Sequence, residues 1–211
     1  MNKNQIAVDI FNKYAQQYSE RFMDVSLYHK TFDSFLSYLP KAGAEILEVA
    51  CGPGNITRYL LSQNYLLRIL STDMAPQMLE IAKQHNPTAT FKLMDARKIT
   101  SLNKKYQGIM CGFCFPYFSK EEVLQFIKDA AYVLDKNGVI YISTMEDDYS
   151  KSGPKKGSQG DEIFMHFHEA AYLTEALIKN GFTNIETQRL ISTGTDGLPY
   201  TDLVLIAHLN S

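Results

Sequence analysis

The 211-residue chain has no tryptophan, only three cysteines and seven prolines, and no excess of either charge: 21 Lys+Arg stand against 23 Asp+Glu, a formal net charge of −2. Each shortage excludes something. Balanced charge argues against a bulk polyanion as the main partner, because nucleic-acid binders carry a surplus of Lys and Arg. A small, odd number of cysteines (Cys51, Cys111 and Cys114) implies a reduced, cytoplasmic setting rather than a disulfide framework. The first residues lack the apolar core of a signal peptide. The long apolar run, Gly108 to Phe118, falls well short of the ~20 residues needed to span a bilayer. What remains is globular in character, with 45% hydrophobic and 21% charged residues, outside the range of disordered or collagen-like chains. A chain of this length buries a core without disulfide or metal staples. Its surplus is aromatic: 13 Tyr and 12 Phe.

Periodicity orders the chain. Ile6, Ile10, Phe11, Tyr14 and Tyr18 recur at helical steps, as do Phe32, Phe35, Leu36 and Leu39 before Pro40. Ile46 to Ala50 then reads as a buried strand entering the turn Cys51-Gly52-Pro53-Gly54, with a helix over Asn55 to Leu61. The alternation continues with a strand from Leu66 to Asp73, a helix from Pro76 to Lys83, and strands over Thr90 to Met94 and Tyr106 to Cys111. Ser119 and Glu122 form a capping box opening a helix to about Leu134, closed by Asn137-Gly138 before a strand over Val139 to Ser143. Met145 to Asp161, rich in Gly, Ser and Lys, reads as a long mobile loop. A helix over Ala170 to Lys179, stopped by Asn180-Gly181, precedes two antiparallel strands, Ile185 to Ile191 and Asp202 to Leu209. Strands alternating with helices imply a largely parallel sheet covered on both faces, whose ligands sit beyond the strand carboxyl ends.

Three strand ends carry chemistry. The first delivers Glu48 and a glycine turn that lets a ligand approach bare backbone at a helix N-terminus. The second ends at Asp73, nineteen residues past Gly54, where a carboxylate accepts hydrogen bonds from both hydroxyls of a ribose. The third ends at Asp95. In this set the sequence resembles the class I S-adenosylmethionine-dependent methyltransferases of the small-molecule type. Ile46 to Thr57 is similar to the family's first motif, with Ala50 in place of its first glycine, a departure that a negative φ would accommodate. Leu70 to Leu79 resembles the second motif, Met94-Asp95-Ala96-Arg97 the third, and Gly108 to Phe118 the fourth-strand region.

The resemblance implies a Rossmann-like seven-stranded sheet of order 3-2-1-4-5-7-6, mostly parallel with an antiparallel C-terminal strand. It makes residues 1–211 a single domain: an N-terminal helical cap over 1–40, a cofactor-binding core over 44–144, a substrate-side loop or lid over 145–168, and a C-terminal helix with two strands over 169–211. It implies S-adenosyl-L-methionine as cofactor. Asp73 would bind the ribose and Asp95 the adenine amino group, with the Ala96 N–H on a ring nitrogen. Gly52 and Gly54 would flank the methionine portion, and the backbone carbonyl near Cys111 would accept its ammonium. Ala50, Pro53, Met74 and Phe113 fall within the same motifs. Glu48 would act indirectly by steadying the loop, and Tyr14 and Tyr18 of the N-terminal helix would cover the site, where aromatic faces favour a sulfonium.

Other chemistries fit less well. A dinucleotide fingerprint needs a small residue where Thr57 stands. Cys111-Gly112-Phe113-Cys114 has redox spacing but no helix N-terminus beside it, and no metal site is expected. Cys114-Phe115-Pro116-Tyr117 departs at two positions from the motif of nucleobase amino-methyltransferases. The expected activity is therefore methyl transfer to a small-molecule acceptor by in-line displacement, with neither nucleic acid nor membrane as partner. The alternative is a non-catalytic S-adenosylmethionine- or nucleoside-binding regulator. If the acceptor needs a general base, His166 and His168 lead, followed by Tyr117, Glu146 and Asp147. Alternation in Met165-His166-Phe167-His168 puts both imidazoles on one side of a strand.

Overall fold

The computed structural model describes residues 3–63, 66–157, 160–194 and 197–210. Three helices come first: α1 (Lys3–Lys13), α2 (Ala15–Phe22) and α3 (His29–Ser37). The alternating region follows as β1 (Ala42–Val49), α4 (Asn55–Ser62), β2 (Leu66–Asp73), α5 (Pro76–His85), β3 (Thr90–Leu93), β4 (Tyr106–Gly112), α6 (Lys120–Val133) and β5 (Leu134–Glu146). After it come β6 (Gly153–Lys156), β7 (Glu162–Met165), α7 (Ala170–Lys179), β8 (Phe182–Thr193) and β9 (Pro199–Leu209).

The main sheet runs β3-β2-β1-β4-β5-β9-β8. Neighbours from β3 to β5 are parallel, and only β9 runs against its neighbours, β5 and β8. Counting strands of this sheet alone, the order is the expected 3-2-1-4-5-7-6; the β6–β7 hairpin, a separate two-stranded sheet, shifts the numbering. Period-two alternation splits the core between the faces. Leu47, Val49, Ile109, Cys111, Ile140, Ile142, Leu203 and Leu205 pack with α6 and α7. Ile46, Met110, Val139, Tyr141, Val204 and Ile206 pack with α3 and α4. Both clusters consist of fully buried side chains, which is why these strands read as near-continuous apolar runs.

Local signals act where they stand. Ser119 and Glu122 close both halves of the capping box of α6, and Gly181 takes a φ of +87° after α7. Two expectations change. The helix α6 stops at Val133, so Asn137, at φ +62°, turns the backbone inside the following extended segment instead of capping the helix. Much of the stretch expected as a loop is regular instead: a 3-10 turn over Tyr149–Lys151 leads into β6, which pairs with β7 in a hairpin. Pairing hides backbone groups that the Gly- and Ser-rich composition alone had left to solvent. Among the described residues, no helix is long and apolar enough to cross a membrane.

A third, smaller apolar cluster sits apart from the two faces. Buried Ala15, Ala75 and Met78 meet Val8, Phe11 and Tyr18, joining α1 and α2 to α5. That contact places α1 over the carboxyl ends of the strands.

Candidate functional site

The turn after β1 is built from left-handed backbone. Ala50, Gly52 and Gly54 have φ of +52°, +53° and +80°, while the Cys51 N–H donates to Thr72 O at 2.9 Å and the Gly54 N–H to Cys51 O at 3.0 Å. The negative φ that would accommodate Ala50 without strain is not the one it takes. An L-residue there costs roughly 1–2 kcal/mol, and the loop's closure onto β2 holds it in place. The glycines serve different ends. A Cβ on Gly52 would meet nothing nearer than Tyr18 Cε1 at 3.9 Å, so this backbone stays open to a ligand. A Cβ on Gly54 would collide with Asn86 Nδ2 and sit 3.1 Å from Ala82 Cβ. Gly54 therefore lets α5 pack against the loop, and it lies outside the cleft described below.

Three carboxylates stand around that turn. Glu48 is 1% exposed; its Oε2 accepts from Ser71 Oγ at 2.7 Å and from Thr57 Oγ1, and its Oε1 has no partner among the described residues. Burial pushes its pKa up to about 7, partly offset by the two hydroxyls. Asp73 takes the Gly52 N–H on Oδ2 at 2.9 Å and the Ala75 N–H on Oδ1 at 2.8 Å, so it bridges the glycine turn and the start of α5. Burial raises its pKa and the backbone N–H donors hold it back. Asp95 is gripped by Arg97, which donates from Nε to Oδ1 at 2.9 Å, from Nη2 to Oδ2 at 2.7 Å and from its backbone N–H to Oδ1 at 2.9 Å. Burial works upward on Asp95, but the guanidinium and the backbone donor more than reverse it, so its pKa falls below the usual carboxylate range.

These groups line one cleft of two adjoining lobes. The larger encloses about 780 Å³, solvent mouth included, and is lined by Gly52, Asp73, Met74, Asp95 and Ala96 on the strand-end side. Its opposite wall is Asn4, Ala7, Val8 and Phe11 of α1. The smaller lobe, about 370 Å³, is lined by Glu48, Cys51, Pro53, Asn55 and Ile56. Ala50, Gly52, Tyr18, Gly112 and Phe113 border both. The size suits a ligand of nucleoside-conjugate dimensions.

An aromatic wall closes the cleft. Phe11 meets Tyr18 edge-on at 5.5 Å and Tyr117 edge-on at 5.0 Å, centroid to centroid. Burial, aided by Asp73, pushes Tyr18 up to about 12. Burial likewise raises Tyr117, with Tyr18 and Cys114 adding to it. Both phenols stay protonated at neutral pH. Phe113 has a φ of +52°, is held by its N–H on Ser143 O and Oγ, each at 3.1 Å, and meets Tyr28 at 5.3 Å.

Besides Gly54, further sequence candidates stand elsewhere, Glu146 paired with Arg189 and Asp147 with Lys151 among them. Tyr14 points away from the cleft, with its hydroxyl on Asp161 of the hairpin turn. Cys111 is fully buried in the core, leaving only its backbone near the site. The histidines share one side as expected, with ring centroids 6.2 Å apart, although β7 stops at Met165. They face the outside of the 115–117 turn rather than the cleft. His168 Nε2 donates to Phe115 O at 2.8 Å and its Nδ1 accepts from the Tyr172 hydroxyl. The Tyr149 hydroxyl, which accepts from the Lys120 N–H, meets His166 Nδ1 at 3.2 Å, and the His166 N–H donates to Pro116 O at 2.7 Å. Burial lowers both pKa values, that of His168 to about 4. This pair braces the turn that carries Tyr117 into the cleft.

Sequence reasoning missed Arg97, Met78 and the roof residues Asn4, Ala7 and Val8. Arg97 carried a signal, a cation two residues past a strand-end carboxylate. The roof residues carried none, since nothing local distinguishes the cleft side of an amphipathic helix from its core side. Cys114 reaches the cleft, and its thiol is raised by the neighbouring Cys111 thiol and by burial. Among the described residues, no three His, Cys, Asp or Glu side chains are grouped to hold a metal ion.

Comparison with known proteins adds to this geometry. A family model described as a methyltransferase domain matches residues 46–138. Malonyl-[acyl-carrier protein] O-methyltransferase of Brevibacillus brevis is 27% identical over 158 residues, covering 68% of this chain and 56% of that protein. The chain spans between about a third and just under two thirds of the length of the curated relatives it matches. Among solved structures, a DhpI–SAH complex superposes with a TM-score of 0.74 at 18% identity, covering 99% of this chain and 98% of the other. Magnesium protoporphyrin IX methyltransferase from Synechocystis with bound SAM does so with a TM-score of 0.72 at 20% identity, covering 100% and 98%.

Proposed function

We propose that the chain, which resembles the class I S-adenosylmethionine-dependent methyltransferases in fold and matches a methyltransferase-domain model over residues 46–138, transfers a methyl group from S-adenosylmethionine to a small-molecule acceptor bound in the same cleft. The observation that carries this reading is the convergence of Gly52, Asp73 and Asp95 on one wall, with the unpartnered Oε1 of Glu48 at the smaller lobe. Bound there, the cofactor supplies a methyl group on a sulfonium, open to in-line displacement at carbon.

The residues present fit that ligand. Each oxygen of Asp73 accepts one backbone N–H and keeps a lone pair for a ribose hydroxyl. Asp95, held ionised by Arg97, is acceptor-only and suits an adenine amino group, with the Ala96 backbone beside it and Met74 against the ring. Gly52 offers bare backbone to the methionine portion, Pro53 and Ala50 shape the smaller lobe, and Glu48 answers its ammonium. Tyr18 presents an aromatic ring to the sulfonium.

On the acceptor side stand Phe113 and Tyr117. Tyr117, neutral at working pH, orients the acceptor as a hydrogen-bond donor, and the buried histidines serve it from behind rather than as bases. On the far side of α1, the β6–β7 hairpin is strapped to the roof by Asp161 on Lys13 and Tyr14. That the reacting substrate is a small molecule is supported by the enclosed, aromatic-walled shape of the cleft and by the protoporphyrin named for one structural neighbour.

Calorimetry with S-adenosylhomocysteine and with NAD tests the cofactor: binding of the first alone is expected, and binding of NAD alone overturns the reading. Labelled methyl should then appear in low-molecular-mass acceptors from a cell extract. Tight cofactor binding with no transfer to any fraction would favour a regulatory binding protein instead.

A further inference from the structure

The roof of the cleft, α1, is joined to the rest of the molecule by a small apolar cluster and by a few polar contacts. One of these leads into the site. Asn4 Nδ2 donates to Glu122 Oε1 at 2.8 Å, and the same oxygen accepts from Arg97 Nη1 at 2.7 Å. The remaining edge of that guanidinium is spent on Asp95. Glu122 cannot drift, because its Oε2 accepts the Ser119 N–H at 2.8 Å in the capping box of α6. An unbroken run of charge-assisted hydrogen bonds therefore joins the strand-end carboxylate to the roof helix.

We propose that Arg97 is a positioning residue that couples Asp95 to α1 through Glu122, so that the adenine end of the cleft takes its binding shape only with the roof helix seated. The proposal rests on the cofactor reading above and adds to it the element that completes the site. A guanidinium presents its donors in a rigid plane, so its grip on one carboxylate sets the angle at which it meets the other. Asp95 and Arg97 are both largely shielded, with 13% and 26% of their side chains exposed, and a pair so placed is less screened than a surface one. Coupling of this kind is reciprocal. A seated roof tightens adenine binding, and a bound adenine holds the roof down by the same factor.

The test compares wild type, Arg97→Lys, Asn4→Ala and the double variant, titrated calorimetrically with S-adenosylhomocysteine and with S-inosylhomocysteine. In the second ligand a 6-oxo group replaces the amino donor. Lysine keeps the charge but loses the fork, and S-adenosylhomocysteine binding should weaken about tenfold. Preference over the inosyl analogue should narrow in parallel, which a loss of general stability would not produce. Asn4→Ala removes the roof's hydrogen bond to Glu122 and should weaken binding about threefold. The double variant should lose less than the product of the two, because both cut one chain. Hydrogen exchange over residues 3–13 should slow on ligand binding in wild type and slow less in Arg97→Lys. Effects that simply multiply, with unchanged ligand protection of α1, would overturn the coupling and leave the cofactor reading intact. Failure of wild type to bind S-adenosylhomocysteine would overturn both. If Arg97→Lys does not fold, Glu122→Gln replaces it, since glutamine still completes a capping box.

Discussion

The two walls of the cleft are built on different physics. The strand-end wall is backbone-rich: Gly52, Asp73, Met74, Asp95 and Ala96 lie at or just beyond the ends of β1, β2 and β3, and the carboxylates are tied to N–H groups within a turn of their own strand or its neighbour. The opposite wall is made of side chains from distant elements. Phe11 comes from α1, Tyr18 from α2 and Tyr117 from the 3-10 turn after β4, which is braced from outside by His166 and His168, some fifty residues further on. The first wall is specified by short motifs; the second exists only once the chain has closed on itself. Ligand affinity should therefore be concentrated on the first wall, and stability and pH response shared between both.

The largest effect that would break this comparison is on binding. Asp73→Ala removes a carboxylate expected to face two hydroxyls and should weaken S-adenosylhomocysteine about a hundredfold in calorimetry, roughly 3 kcal/mol. His168→Asn, on the other wall, should leave that affinity within about threefold. Equal losses would mean that the two walls are not separable.

Next comes the pH dependence of stability, where the walls pull in opposite directions. Glu48 rises from 4.5 to about 7 on folding, so its contribution is complete below pH 4.5 and is lost as pH climbs through 7. His168 falls from 6.5 to about 4, so its contribution is complete above pH 6.5 and is lost as pH drops toward 4. Each amounts to about 3 kcal/mol. In wild type the two nearly cancel between pH 4.5 and 6.5. Glu48→Gln should tilt the urea-unfolding profile toward greater stability at high pH, and His168→Asn should flatten the loss on the acid side. Parallel profiles for all three proteins would show that neither group titrates as its burial implies.

A smaller loss follows from the brace itself. His168→Asn leaves the Tyr172 hydroxyl or the Phe115 carbonyl short of a partner and should cost about 2 kcal/mol at pH 7, read from the same curves. The smallest effect has the opposite sign. Ala50→Gly relieves a left-handed alanine at the cost of a freer unfolded chain, and should stabilise by roughly 0.5–1 kcal/mol with little change in ligand affinity.

The comparison also explains what the sequence made legible. Asp73 and Asp95 could be placed because a strand end, a turn and a helix start follow one another within a few residues, and local backbone preferences decide where such a side chain emerges. The Ser119–Glu122 box and Gly181 were readable for the same reason. Glu48 is expected from its motif to act indirectly; its Oε2 is tied beneath the loop to Thr57 and Ser71, whereas the unpartnered Oε1 at the smaller lobe is the atom the proposed function gives to the ammonium. The histidines were not legible as a brace. Alternation put them on one side correctly, but which element that side meets depends on how residues 166–168 lie along the 115–117 turn. Gly54 had the look of a ligand-facing residue and proved to be a packing residue, because what limits it is α5 rather than a ligand. Tyr14 and Tyr18 are four residues apart, yet the break between α1 and α2 at Tyr14 sends one to the hairpin and the other to the cleft.

By itself the sequence determined the succession of strands and helices, the glycine turn, and the carboxylates at the strand ends. Each depends on dihedral preferences and side-chain periods that span only a few residues. Tertiary structure alone decided which aromatic residues reach the cleft, that both histidines turn away from it, that Ala50 must carry a positive φ, and that Arg97 joins Asp95 to the roof. Those are relations between segments far apart in the chain, and only the packing of sheet, helices and hairpin brings them within contact distance.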